Sequence, residues 1–260
     1  MAEGGRLSIL EYGAESFTLP GQMESGDKYV IKEIPTGAVI GVIDGLGHGT
    51  EAAQASELAA KVIEKHADEP VITIAKRCHK HLHDTRGVVM ALVSMNAYEN
   101  TLTWLSIGNV EGTFIRTDFR STPGYENIVM RPGVVGFRLP PLLASVFSIS
   151  RNDLLILATD GIRDDHTERI AFDFHYAPEH LQHLTETQIN AMTLEAPTSD
   201  KPASHLKMES ESSSVKRENE IQNISLENLA NHICTFYAKG SDDAMVVVAR
   251  YKGKHNLRDS

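Results

Sequence analysis

Short apolar runs, punctuated by polar or glycine positions, recur through the first half of the chain at 7–10, 29–34, 39–43, 88–95, 102–107 and 113–116. Their length and punctuation predict strands. Between the third and fourth runs the pattern changes. Residues 50–65 are rich in alanine, and Val71, Ile74, Ala75, Cys78 and Leu82 repeat at helical spacing, which predicts two helices over 50–65 and 71–82. Further strands are predicted at 128–131, 134–139, 142–149 and 154–158. Near the end, Ser225 is placed to cap a helix carrying Leu226, Leu229, Ile233 and Phe236 on one face and closed by Gly240, before a last strand over 244–251. Few helices and consecutive strands favour an α+β fold with largely antiparallel sheets over alternating βαβ units.

This pattern lapses over 172–220, where His, Glu, Ser, Thr, Lys and Asn dominate and residues 209–214 offer nothing to a packed core. The reading is one domain formed by 1–171 and 221–260, with 172–220 as a polar, mobile insertion. Within that insertion Leu181, Leu184, Ile189 and Met192 give an imperfect apolar stripe and predict one amphipathic helix over 178–192. The chain has no internal repeat.

Composition narrows the functional classes. The 260 residues are 41% hydrophobic, enough for a substantial core. With 25 Lys+Arg against 35 Asp+Glu, the net charge of −10 provides no basic field for nucleic acid. Two cysteines, Cys78 and Cys234, exclude a multi-bridge secreted framework and suit a reducing compartment. No apolar stretch reaches the roughly 18 residues needed to span a bilayer. A cytoplasmic protein with neither membrane nor nucleic-acid partner is expected.

The informative acids sit at the ends of apolar runs. Asp27 opens one, Asp44 and Asp160 close two others, and Asp242 precedes the last. Four carboxylates gathered at one sheet end would repel one another unless cations lay between them, and hard oxygen donors select magnesium or manganese. A two-metal site is the natural reading. Gly26, Gly45 and Gly161 flank three of these acids, where the backbone must turn sharply or approach a cation closely.

Taken in order, Ser25-Gly26-Asp27, Val42-Ile43-Asp44-Gly45-Leu46-Gly47-His48-Gly49, Ala158-Thr159-Asp160-Gly161-Ile162 and Asp242-Asp243-Ala244-Met245 form a series that resembles the motifs of the PPM-type metal-dependent serine/threonine phosphatases, in their compact bacterial SpoIIE-like branch. Thr85-Arg86-Gly87-Val88, Ser106-Ile107-Gly108-Asn109-Val110-Glu111 and Arg131-Pro132-Gly133-Val134 look most similar to the RsbX-type phosphoserine phosphatases, which reset the stressosome. The resemblance covers about 7–165 and 225–251 and has no counterpart for the insertion.

The resemblance implies an α/β/β/α sandwich of two largely antiparallel sheets. It implies that Asp27, Asp44, Asp160 and Asp242, with the carbonyl of Gly45, hold two Mn²⁺ or Mg²⁺ ions. Asp44 and Asp160 thereby carry catalysis by metal-activated water, acting on phosphorylated STAS-domain stressosome proteins. Two positions depart from the wider family. Asn109 stands where many relatives carry an aspartate associated with a third metal, although Asp164 keeps part of that site. The N-terminal arginine that holds substrate phosphate in eukaryotic relatives has no clear equivalent; Arg6 precedes Asp27, and Arg86 is the candidate substitute, since a guanidinium binds phosphate bidentately.

Other readings compete. Gly45-Leu46-Gly47-His48-Gly49 before a helix resembles a dinucleotide-binding turn, but the polar stretch 65–70 breaks into a second helix where a parallel strand would be required. His48 is a candidate general acid for the departing serine oxygen, or a loop hydrogen-bonding group. His79 and His83 are one helical turn apart, as zinc ligands can be, yet the apolar stripe claims Cys78 for the core. A catalytically silent docking module on the same fold and a phosphatase of small molecules stand as the functional alternatives.

Overall fold

A computed structural model describes residues 2–118, 124–182, 184 and 221–254. In chain order the strands are β1 (Glu3–Arg6), β2 (Leu10–Phe17), β3 (Asp27–Ile34), β4 (Gly37–Gly45), β5 (Val88–Asn96), β6 (Thr101–Ile107), β7 (Glu111–Ile115), β8 (Tyr125–Asn127), β9 (Ser145–Ser148), β10 (Leu154–Ala158) and β11 (Ala244–Tyr251). Helices α1 (Thr50–Lys65) and α2 (Val71–His81) lie between β4 and β5, and α3 (His166–Tyr176), α4 (Pro178–Gln182) and α5 (Leu226–Tyr237) between β10 and β11. The strands form a six-stranded sheet of order β1-β2-β11-β10-β7-β8 and a five-stranded sheet of order β3-β4-β5-β6-β9. Every pairing is antiparallel.

Period-two alternation explains the layering. Along β4, Ala38, Ile40 and Val42 enter a core that also takes Trp104, Phe114, Leu157 and Val247, so this core lies between the two sheets. Val39 and Ile43 point the other way, into a core shared with Ala59, Ile63, Ile74 and Cys78 of α1 and α2. On the far side, Ala244, Val246 and Val248 of β11 meet Phe174 of α3 and Leu229 and Ile233 of α5. The layers therefore run helix, sheet, sheet, helix. Strands buried on both faces lose the apolar–polar alternation and read as continuous apolar runs, as β4, β10 and β11 do.

The predicted helix at 225 forms as expected, and the Ser225 hydroxyl accepts a hydrogen bond from the Asn228 N–H at 3.2 Å. Strand β2 was not among the predicted elements, because Glu11, Gly13 and Glu15 interrupt its apolar positions. Conversely, the strands expected over 128–131 and 134–139 are loop, closed on itself by an isolated bridge at Val134–Arg138 and tied to its surroundings by the Val88–Val135 bridge and by single backbone bonds such as that from the Gly108 N–H to the Arg131 carbonyl. Prolines at 132 and 140 remove the N–H groups a ladder would need. Strand β9 keeps only the end of the expected 142–149 run.

Residues 172–176 continue α3 and 178–182 form α4, with Phe174, Leu181 and Leu184 buried in the outer core. Most of the expected insertion, including 185–192 of its predicted helix, lies outside the described residues. The returning chain is held by Arg250 on β11. Its buried guanidinium donates to the carbonyls of Gln222 at 2.9 Å and Ile224 at 2.8 Å and reaches Glu11 at 3.4 Å. No helix among the described residues is long and apolar enough to cross a membrane.

Candidate metal centre

Antiparallel register brings the first two acids together. Asp27, the first residue of β3, is the direct partner of Asp44 near the end of β4. The other two come from the facing sheet, where β10 runs out at Ala158 and β11 begins at Ala244, paired strands whose ends carry Asp160 and Asp242. One hydroxyl ties the sheets at this point. Thr159 Oγ1 donates to Asp27 Oδ2 at 2.7 Å and accepts from the Met245 N–H at 2.8 Å.

The acids grade from buried to open. Asp27 is buried, Asp44 and Asp160 are half-buried, and Asp242 is exposed. Burial first, then repulsion from the neighbouring aspartates, pushes the Asp44 carboxyl up to about 8. Burial likewise lifts Asp27 to about 7, with Asp243, Asp160 and Asp242 adding to the shift and the Thr159 hydroxyl opposing it. Asp160 is raised by burial and by Asp242, while Lys239 and the Asn109 amide pull it down. Among the described residues no three acidic, histidine or cysteine side chains converge as a ready-made cation cage. The donor set nevertheless fits divalent cations. It consists of hard carboxylate oxygens whose charges raise one another's proton affinity, which is the condition a bound cation relieves.

Two glycines let the backbone close around these acids. A Cβ on Gly45 would lie 2.2 Å from the Ala52 carbonyl, so only glycine admits the first turn of α1 against the end of β4. A Cβ on Gly161 would lie 1.9 Å from the Asp243 carbonyl, so the exit from β10 can pass the entry to β11.

Several residues at the centre take roles that are not legible in the sequence. Asp243 is buried and accepts from the Leu19 N–H at 2.8 Å and the Gly26 N–H at 2.7 Å. It fixes the loop that delivers Asp27. Thr159 orients Asp27 from the other side. Asn109 donates its amide to Asp160 Oδ2, and Lys239 Nζ donates to the Asp160 carbonyl. Glu111, the first residue of β7, is pushed up by burial and by Asp164 and Asp160. The local signal for Thr159 was a hydroxyl beside Asp160 at a strand end; for Asp243, an acid directly following a candidate ligand.

The remaining candidates sit around the centre. His48 is exposed in the loop between β4 and α1. Arg86 packs its guanidinium over Gly47 in that loop and pairs with Glu51 at the start of α1. Arg6 is at the wrong end of its sheet. It pairs with Glu11 beside the Leu10–Tyr251 register, whereas the acids sit at the Phe17–Ala244 end. His79 accepts from the Gly136 N–H at 3.0 Å and packs on His83, a structural use of the pair.

A family profile described as Stage II sporulation protein E (SpoIIE) matches residues 35–201. The chain belongs to the SpoIIE family. Phosphoserine phosphatase RsbX of Bacillus subtilis (strain 168) is 30% identical over 90 residues, which cover 35% of this chain and 45% of RsbX. The match thus spans less than half the length of that relative. In three dimensions this SpoIIE-family chain is similar to a crystal structure of RsbX in complex with magnesium, with a TM-score of 0.66 and 17% identity over 97% of this chain and 100% of that one. A chain from a structural study of the bacterial stressosome gives a TM-score of 0.66 and 24% identity, over 93% and 99% of the two chains. At these identities the structural likeness establishes the fold, that of the PPM phosphatases.

Proposed function

We propose that this SpoIIE-family protein is a metal-dependent phosphatase of phosphoserine or phosphothreonine in proteins. The observation that carries the reading is the direct opposition of Asp27 and Asp44 across β3 and β4, completed by Asp160 and Asp242 from the facing sheet. Asp27, Asp44, the Gly45 carbonyl, Asp160 and Asp242 would hold two Mn²⁺ or Mg²⁺ ions. Bound there, the ions would make water nucleophilic at neutral pH and offset charge on the phosphoryl oxygens.

The chain's own residues position these donors. Thr159 fixes one oxygen of Asp27, Asp243 anchors the loop that delivers it, and Asn109 orients Asp160. Arg86 binds substrate phosphate by exchanging its exposed partner Glu51, and surface pairs of this kind cost little to break. His48, exposed in the loop between β4 and α1, gives a proton to the departing serine oxygen.

Likeness to RsbX and to a stressosome chain supports phosphorylated STAS-domain stressosome proteins as the substrates, in a bacterial stress-signalling pathway. Both cysteines are free and buried, as a cytoplasmic setting permits. The test is phosphate release from a serine-phosphorylated STAS-domain protein and from free phosphoserine, each with Mn²⁺ and with EDTA. Release from the protein alone, abolished by EDTA, is the expected result. Preference for free phosphoserine would assign a small-molecule phosphatase, and no release from either would contradict the reading.

A further inference from the structure

Beside the metal centre the loop 128–143 presents apolar side chains that the core does not use. Phe137 is 83% exposed, Val129 72% and Met130 42%. Single exposed hydrophobes are ordinary, but an aromatic this exposed on a fully hydrogen-bonded turn is not. The Phe137 and Arg138 N–H groups both donate to the Val134 carbonyl, at 3.2 and 2.8 Å, and the Val134 N–H donates to the Arg138 carbonyl at 2.8 Å. Val135 next to it is buried and exchanges both backbone bonds with Val88. The Gly136 N–H is taken by His79. Phe137 is therefore held out on a rigid support, so its burial by a partner would cost little ordering.

The loop is tied to the catalytic end on two sides. Val135 pairs with Val88, whose opposite edge pairs with Gly45, which places Val135 two strand spacings, about 10 Å, from the Gly45 backbone. Phe137 follows within about 7 Å more of chain. On the other side, the Gly108 N–H donates to the Arg131 carbonyl at 2.7 Å, next to the Asn109 that holds Asp160. A partner footprint of roughly 800 Å², about 15 Å in radius, centred between them would cover both the metal centre and this turn.

Charge selects the occupant. In a chain of net charge −10 whose centre is a cluster of aspartates, Arg131 and Arg138 flank the apolar residues, and neither forms an ion pair with another described residue. The surface suits a protein that offers an apolar recess ringed by acids near its phosphorylated residue.

We propose that this turn is the docking surface for the phosphoprotein substrate, with Phe137 as its anchor and Arg131 and Arg138 as its charged rim. The proposal rests on the phosphatase reading above, and its test separates the two. The dissociation constant for a serine-phosphorylated STAS-domain protein is measured calorimetrically in EDTA, where no turnover intervenes, for the wild type, Phe137→Ala and Arg138→Glu. Hydrolysis of p-nitrophenyl phosphate with Mn²⁺ is measured alongside. At least a tenfold loss of affinity in Phe137→Ala, and a smaller loss in Arg138→Glu that grows at low salt, with p-nitrophenyl phosphate turnover unchanged, is the expected result. Equal affinities in all three, or no binding by the wild type, would overturn the docking surface. A wild-type dimer that Phe137→Ala dissolves, with phosphoprotein affinity unchanged, would assign the turn to a second copy of the chain and overturn it too. Absence of p-nitrophenyl phosphate hydrolysis in the wild type would instead strike at the phosphatase reading.

Discussion

Thr159 joins the two sheets at the point where chemistry is expected, donating to Asp27 Oδ2 at 2.7 Å while its oxygen accepts from the Met245 N–H at 2.8 Å. The hydroxyl is buried between β3 on one sheet and β11 on the other, so its loss is felt by both. In Thr159→Val the shape is kept, Asp27 loses its orienting donor and the Met245 N–H loses its acceptor. Stability is expected to fall by about 1–3 kcal/mol. Affinity for Mn²⁺ is expected to fall roughly 10–100-fold, as it does when partners of metal ligands are removed. Calorimetric Mn²⁺ titration of the folded variant checks this.

Asp243 does comparable work on the loop. Its two oxygens serve the Leu19 and Gly26 N–H groups, more than two hundred residues away in sequence, and nothing else described would replace them. Asp243→Ala is expected to lose about 3 kcal/mol in urea unfolding, for two charge-assisted bonds and two stranded donors. Asp243→Asn keeps one acceptor and is expected to lose about half of that.

Without divalent cations, stability is expected to fall as pH rises. Burial and mutual repulsion lift Asp27 to about 7 and Asp44 to about 8, from 3.8 in the unfolded chain. Between those values the folded state keeps protons that the unfolded state has released, so the favourable contribution is complete below pH 4 and is lost as pH approaches 8. Saturating Mn²⁺ replaces the protons and reverses the trend. Thermal unfolding in EDTA and in Mn²⁺ at pH 6 and pH 8 should therefore show a larger metal-induced rise in Tm at pH 8.

His232 on α5 works in the opposite sense. Its ring packs against Phe236 at 4.7 Å, its Nδ1 is buried without a hydrogen-bond partner among the described residues, and burial lowers it from 6.5 to about 4. The folded state holds it neutral, so its contribution is present above pH 6.5 and is lost as pH falls toward 4. His232→Phe removes this acid sensitivity. The stability of the variant relative to wild type is expected to grow between pH 6.5 and pH 4 in chemical denaturation.

The sequence made the acids legible because each stands at the edge of an apolar run, a position that a strand end fixes. Asp44 before Gly45 and Asp160 before Gly161 needed no tertiary information. The roles of Thr159 and Asp243 did, since both depend on how β10 and β11 meet a loop from the other sheet. Strand β2 was hidden by Glu11, Gly13 and Glu15, whose places on the sheet are set by pairing with β11. The stretches 128–131 and 134–139 read as strand because their isoleucine, valines and leucine are apolar. Some are buried as bridges, such as Val135, while Phe137 and Val129 are exposed. Local pattern cannot distinguish a residue kept for the core from one kept for a partner.

The central claim is that the aspartates hold the ions that hydrolyse phosphate. Its most direct test is p-nitrophenyl phosphate turnover with Mn²⁺ in the wild type, Asp44→Asn and Asp160→Asn, with Mn²⁺ binding measured on the same samples. Mn²⁺-dependent turnover in the wild type that EDTA abolishes, with loss of both turnover and Mn²⁺ binding in the two folded variants, is the predicted result. Turnover that survives EDTA, or variants that bind Mn²⁺ and turn over as the wild type does, would contradict it.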